Sequence, residues 1–316
     1  MRRIAALLLT LTTVALALTA CGGGGGGSEP AGLPEVSGQF GLPPKITAPG
    51  GSPTGEFQAK VLEAGDGHEI ASGDLLVVEY VGQTWRENKV FDSSYGHGPV
   101  TFQIGVQPLI AGWVKGLIGK NVGSRVLLVI PPEDGYGAAG QPDADIRGDD
   151  TLVFVVDVLD GFPRAAGAEG AMKALNDPAL PSVSGQAGAR PTITVTSGTT
   201  PPAELVSRAV VAGTGRPVKT GDLLVVQYVG VNWRDGKEFD SSWGREAPVG
   251  LRLAETDLIK GWVQGLEGMK VGSRVLMVIP PELGYGQAGQ PEAGIKPDDT
   301  LVFAVDILGA YEGAAA

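Results

Sequence analysis

The histidines and the cysteine of this 316-residue sequence, the side chains best suited to acid–base or thiol chemistry, do not recur where a shared function would need them. Both histidines, His68 and His97, lie in the first half, and the one cysteine, Cys21, closes an apolar leader. The serines of Phe91-Asp92-Ser93-Ser94 return as Phe239-Asp240-Ser241-Ser242, yet the second half holds no histidine to activate Ser241 or Ser242. Histidine acid–base catalysis, serine triads and histidine-held metals are therefore closed to that half. Asp143, Asp145, Asp149 and Asp150 resemble a calcium loop, but the matching Glu292 to Asp299 lacks the alternating carboxylates and predicts a solvated acidic loop. The glycines from Gly135 to Gly140 do not open a helix after a strand, so they make no phosphate cradle.

What recurs is aromatic. Tyr80, Phe91, Trp113, Tyr136 and Phe154 are matched by Tyr228, Phe239, Trp262, Tyr285 and Phe303. Any one of them could be an ordinary core residue. Tyr136 and Tyr285, however, sit in glycine-rich loops where no core aromatic is needed. Asp92 and Asp240 each follow a phenylalanine and would be costly to bury without a partner. Together these residues suit an apolar pocket that acts without a covalent step.

Placing these residues requires two copies of one domain. Gly73-Asp74-Leu75-Leu76-Val77-Val78 returns as Gly221-Asp222-Leu223-Leu224-Val225-Val226, at an offset of 148 that becomes 149 from Pro248 onward. A repeat this long is a tandem domain, not a solenoid unit. In the first copy, Leu75 to Tyr80, Arg125 to Ile130 and Thr151 to Leu159 read as strands, and Leu109, Ile110, Trp113 and Leu117 fall at helical spacing. Several antiparallel strands with one short helix make an α+β domain. The leader Leu33 to Gln39 recurs as Leu180 to Gln186, so it is expected to dock on its domain. The expected division is residues 33–161 for the first domain, 162–179 for a linker with a helical turn at Met172 to Leu175, and 180–312 for the second domain.

Residues 1–20 read as a targeting segment: Arg2 and Arg3 precede an apolar stretch, and Leu18-Thr19-Ala20 precedes Cys21. This resembles the lipobox of bacterial lipoproteins, which implies lipid attachment at Cys21, and residues 21–32, with Gly22 to Gly27, form a flexible tether. The net charge of −11, with its 24 basic residues scattered, argues against nucleic acid as a partner.

In order and spacing, Tyr-Val-Gly, Phe-Asp-Ser-Ser, Ile-x-Gly-Trp, Gly-Tyr-Gly and Thr-Leu-Val-Phe resemble the FKBP-type peptidyl-prolyl cis–trans isomerases. The resemblance implies two tandem domains, each a twisted antiparallel half-barrel sheet around one short helix, with no cofactor and no metal. It implies that Trp113 and Trp262 floor the proline site, with Tyr80, Phe91 and Phe154, or Tyr228, Phe239 and Phe303, as walls. Leu109 and Ile110, or Leu258 and Ile259, would flank it, the isoleucine N–H donating to a substrate carbonyl. The Tyr136 and Tyr285 hydroxyls would donate likewise, Asp92 and Asp240 would orient Tyr80 and Tyr228, and Ile146 and Ile295 would close the rim. Valine at Val100 and Val249 departs from the aromatic that many relatives carry. Near the place of the family's arginine the second copy has Arg245, whereas the first has His97.

The expected partners are proline-containing unfolded or exported polypeptides and the macrolides that inhibit the family, with membrane contact through the lipid anchor only. The expected location is the outer face of the bacterial cytoplasmic membrane, lipid-anchored, or otherwise the secreted fraction. The alternative reading is a proline-segment binding module, or a folding helper with little turnover in one copy.

Overall fold

A computed structural model describes residues 32–106, 109–245 and 247–313. The targeting segment, Cys21 and most of the tether lie outside them. Among the described residues no helix is long and apolar enough to cross a membrane.

The first domain runs β1 (Glu35–Ser37), β2 (Lys45–Thr47), β3 (Gln58–Glu63), β4 (Leu75–Thr84), β5 (Val90–Ser93), β6 (Val100–Gln103), α1 (Ala111–Leu117), β7 (Arg125–Ile130) and β8 (Leu152–Phe162). The second repeats it as β9 (Ser182–Ser184), β10 (Thr192–Thr194), β11 (Val206–Val211), β12 (Leu223–Asn232), β13 (Glu238–Ser241), β14 (Val249–Arg252), α2 (Lys260–Leu266), β15 (Arg274–Ile279) and β16 (Leu301–Tyr311). Each has a six-stranded sheet, ordered β3-β7-β8-β4-β5 and β11-β15-β16-β12-β13, with β6 and β14 on the remaining length of β4 and β12. All pairings in both sheets are antiparallel.

The central strands bury both faces, which explains runs such as Leu75-Leu76-Val77-Val78 that lack polar alternation. On the concave face Leu76, Val78, Tyr80, Val126, Leu128 and Val156 join Trp113 and Leu117 of α1 in one core. The helix lies close to the sheet: a Cβ on Gly112 would stand 2.6 Å from the Ile130 side chain. The helix begins at Ala111, two residues later than the spacing of Leu109 and Ile110 suggests, because Ile110 is extended at φ −63°, ψ 145°.

On the convex face, Ile46 and Ala48 pack with Val81, Trp85, Leu127, Val129 and Val155. The recurring leader is thus docked, and a buried ion pair fastens it. Arg125 holds Asp157 in two contacts of 2.6 and 2.7 Å and donates to the carbonyls of Gly38 (2.9 Å) and Leu42 (2.8 Å), while the N–H of Gly41 reaches Asp157 at 2.7 Å.

The stretch expected as a linker is not free. Ala168 is 1% exposed, and its N–H donates to Asp306 at 2.9 Å, the place that Gly41 takes at Asp157. The expected helical turn at Met172 to Leu175 is absent: Met172 forms an isolated bridge with Val211, and the N–H of Lys173 donates to the Val210 carbonyl at 2.7 Å. This segment lies along β11 instead, where Met172 and Leu175 bury against the second domain.

The two domains also meet directly. Leu75, Val77, Leu223 and Val225 form one apolar cluster with Leu159, Phe162, Leu308 and Tyr311. The Tyr311 hydroxyl donates to Asp160 at 2.6 Å.

Candidate functional site

Strand alternation places Tyr80 on the concave face of β4, and the next residue on that face is Gly82. A Cβ there would stand 2.6 Å from the Phe154 ring and 2.9 Å from the Phe91 ring. Glycine therefore lets two aromatics from the neighbouring strands β5 and β8 close over the sheet. Gly230 does the same for Phe239 and Phe303, both at 2.8 Å.

Trp113 forms the floor, 3% exposed, with rings set edge-on around it: Phe102 at 5.2 Å, Tyr80 at 5.3 Å and Phe154 at 5.5 Å. Edge-to-face contacts match the positive rim of one ring to the negative face of another. In the second domain Trp262 meets Tyr228 and Phe303, both at 5.3 Å. Above each floor lies an open cavity, about 190 Å³ in the first domain and about 400 Å³ in the second.

The walls contain most of the residues expected there. Tyr80, Phe91, Asp92, Leu109, Ile110, Trp113, Tyr136 and Phe154 line the first cavity. Tyr228, Phe239, Asp240, Leu258, Ile259, Trp262, Tyr285 and Phe303 line the second. Ile110 and Ile259 stand at the helix N-caps in extended conformation, so their N–H groups fall outside the helical ladder.

Ile146 and Ile295 do not line the cavities. Pairing of Gln141 with Ile146, and of Gln290 with Ile295, tucks each loop inward, leaving the isoleucines 3% and 2% exposed inside the cores. Conversely, the sequence reading missed Phe102 and Leu251, which do line the cavities. Their alternation with Val100 and Val249 on β6 and β14 is the signal that could have found them.

The polar groups are few and held. Each tyrosine hydroxyl of the floor donates to its aspartate at 2.5 Å, Tyr80 to Asp92 and Tyr228 to Asp240. Burial first, then this bond and the carboxylate charge, push both phenols well above the ordinary tyrosine value. Tyr136 and Tyr285, both 38% exposed, are also raised, by burial and then by the charge of Asp92 or Asp240. Their hydroxyls remain protonated donors at neutral pH.

One asymmetry stands out. In the second domain Arg245 pairs with Asp240, donates to the Tyr228 hydroxyl at 3.2 Å and lies 5.9 Å from that ring's centre. In the first domain His97 takes its place in the chain and is held through its backbone: its N–H donates to Ser94 at 2.9 Å, and its carbonyl accepts from Arg252 at 3.4 Å.

The acidic loop serves structure. Asp145 pairs with Lys89 at 2.6 Å, and Asp150 accepts from Arg86 at 2.6 Å and from the Arg147 N–H at 2.7 Å. Asp299 repeats the second role with Arg234.

Each site thus combines an apolar aromatic floor with phenol hydroxyls, two of them held by carboxylates across the two domains. An FK506-binding protein of Streptomyces anulatus is 41% identical over 108 residues, 34% of this chain and 87% of that protein. FkpA of Escherichia coli K12 is 48% identical over 104 residues, 33% of this chain. Its crystal structure aligns over 38% of this chain and 54% of that one, with a TM-score of 0.33. Human FKBP10 is 32% identical over 241 residues, 76% of this chain. The matches span 37% of FkpA and 35% of FKBP10. The sequence profile of FKBP-type peptidyl-prolyl cis-trans isomerases matches twice, over residues 67–159 and 214–308, and the chain belongs to that family.

Proposed function

We propose that both cavities accelerate rotation about X–Pro bonds in exported polypeptides, by non-covalent binding alone. The observation that carries this reading is the recurrence of the whole aromatic set around a cavity in each domain. Rotation meets a barrier of about 18–20 kcal/mol because amide resonance keeps the bond planar. The planar amide is the more charge-separated form, so an apolar aromatic floor disfavours it relative to the twisted transition state. On this reading Tyr136 and Tyr285, and the Ile110 and Ile259 N–H groups, donate to substrate carbonyls and favour the twisted form. The carboxylates of Asp92 and Asp240 fix the floor tyrosines and set the field of the pocket.

Support for an extracytoplasmic setting comes from the leader: small residues precede the chain's only thiol, Cys21, and six glycines follow it. On this reading Cys21 carries the lipid, the protein works at the outer face of the cytoplasmic membrane, and macrolides of the kind that inhibit the family compete for the same floor. Cys21→Ala should release the protein or leave its leader uncleaved, and membrane fractionation and leader processing both unchanged in that variant would refute the anchor.

The test of activity is a protease-coupled proline-peptide assay on the full chain. Phe91→Ala with Asp92→Ala, combined with Phe239→Ala and Asp240→Ala, should reduce kcat/KM about a hundredfold or more. A quadruple variant that is folded and fully active would exclude these cavities as the site.

A further inference from the structure

The two cavities share their walls at nearly every position, so the places where they differ carry information about substrate. The second is about twice the volume of the first, 400 against 190 Å³. Part of the difference is Leu251, which stands where Phe102 crowds the first floor, 5.2 Å from Trp113 and 6.2 Å from Tyr80. A ring replaced by a leucine is too small a change to double a cavity. Glu255, Thr256 and Asp257 also line the second cavity, together with Trp262. Backbone bonds brace this loop, with the N–H groups of Asp257 and Leu258 donating to the Ala254 carbonyl at 3.1 and 3.0 Å. In the first domain the corresponding stretch reads Val106-Gln107-Pro108, without a carboxylate.

A cavity lined by apolar Leu251 and by two exposed acidic residues, Glu255 and Asp257, fits a side chain with the same division. Lysine and arginine have an apolar stem and a cationic tip, and bury the one while presenting the other. We infer that the second domain holds a subsite for a basic side chain next to the substrate proline, whereas the first takes uncharged neighbours. This inference rests on the reading of both cavities as X–Pro sites. It makes the two copies complementary in the clients they accept.

The experiment uses the full chain with the first pocket disabled by Phe91→Ala and Asp92→Ala, and peptides with Lys, Glu or Leu immediately before or after the proline. Exposed ion pairs are individually weak, and two carboxylates lining one cavity should give about a fivefold preference in kcat/KM for Lys over Glu. The preference should appear in KM and shrink toward unity at about 1 M salt, where the Debye length is about 3 Å. It should also shrink in Glu255→Gln with Asp257→Asn, and Leu251→Phe should raise KM for the Lys peptide. The converse chain, with Phe239→Ala and Asp240→Ala, should show less than about a twofold preference. Equal preference in both pockets, or a preference that survives Glu255→Gln with Asp257→Asn, overturns the inference while leaving isomerase activity intact. Failure to accelerate even the Leu peptides would instead sink the isomerase reading, and the subsite with it.

Discussion

Each floor tyrosine spends its hydroxyl on an aspartate, and the two copies differ in what holds that aspartate. Arg245 touches both Asp240 and the Tyr228 hydroxyl, whereas His97 faces its surroundings through the backbone. A carboxylate anchored by an arginine keeps the tyrosine edge fixed beside the substrate ring, so the second domain should be the better isomerase at neutral pH. His97→Arg should raise kcat/KM of the first pocket about three- to tenfold, and Arg245→His should lower that of the second by a similar factor, the size of one partly exposed charge contact. Each is read in a chain whose other pocket is disabled. If neither exchange moves kcat/KM, the charge partner is irrelevant to turnover. The raised phenols of Tyr80, Tyr95, Tyr228 and Tyr311 make a second prediction, about stability. Each folded phenol ionises at higher pH than the unfolded one, which titrates near 10, so its contribution is whole below about pH 10 and declines as pH rises above it. Urea unfolding at about pH 9 and pH 11 checks the sign: a protein equally stable at both would contradict it.

At the scale of elements, the buried Arg125–Asp157 pair does what neither sheet nor helix can do alone, fixing an irregular leader to a convex face. Replacing Arg125 with Ala leaves Asp157 buried with its charge unpaired and releases the Gly38 and Leu42 carbonyls, at a cost of about 3–5 kcal/mol. Protease should then cut the leader between β1 and β2 before the first domain unfolds, and an intact leader in Arg125→Ala would show the pair to be dispensable there. This element is also where legibility ran out. Arg125 to Ile130 was legible as a strand because apolar residues run unbroken from Val126 to Ile130 between Gly123 and Pro131, and the aromatic set was legible because it recurs. The partner of Arg125 was not, since the two residues lie on different strands and a lone Arg at a strand edge reads as solvated. Nor was Ile146, whose burial depends on a two-residue bridge that no periodicity announces. The start of α1 was missed because Leu109 and Ile110 line the cavity ahead of the helix, Ile110 from extended backbone, and so mimic helical spacing.

At the scale of the molecule, the exposed-looking ends of β4 and β12 are what the domains use to cover each other. Leu75 and Val77 would face water in an isolated first domain, as Leu223 and Val225 would in an isolated second one. Such apolar area is worth about 1.5–3 kcal/mol for each large side chain fully buried. The segment after β8 adds to the tie, because Ala168 and Met172 contact the second domain before its own first strand begins. A second domain cut at Leu180 would therefore expose Asp306 and the edge of β11, and would be less stable than one that starts before Ala168. In the whole chain the shared cluster should couple unfolding, giving one calorimetric transition in place of two. Leu223→Asp removes a buried side chain and places a carboxylate against Leu75 and Phe162, costing about 2 kcal/mol in lost apolar burial before desolvation of the charge is counted. The pocket residues are untouched, so each domain should keep its isomerase activity while the single transition splits into two, the lower one shifted down by several degrees. Two transitions already present in the unaltered chain, or a single one that persists in Leu223→Asp, would show that the domains fold without regard to each other.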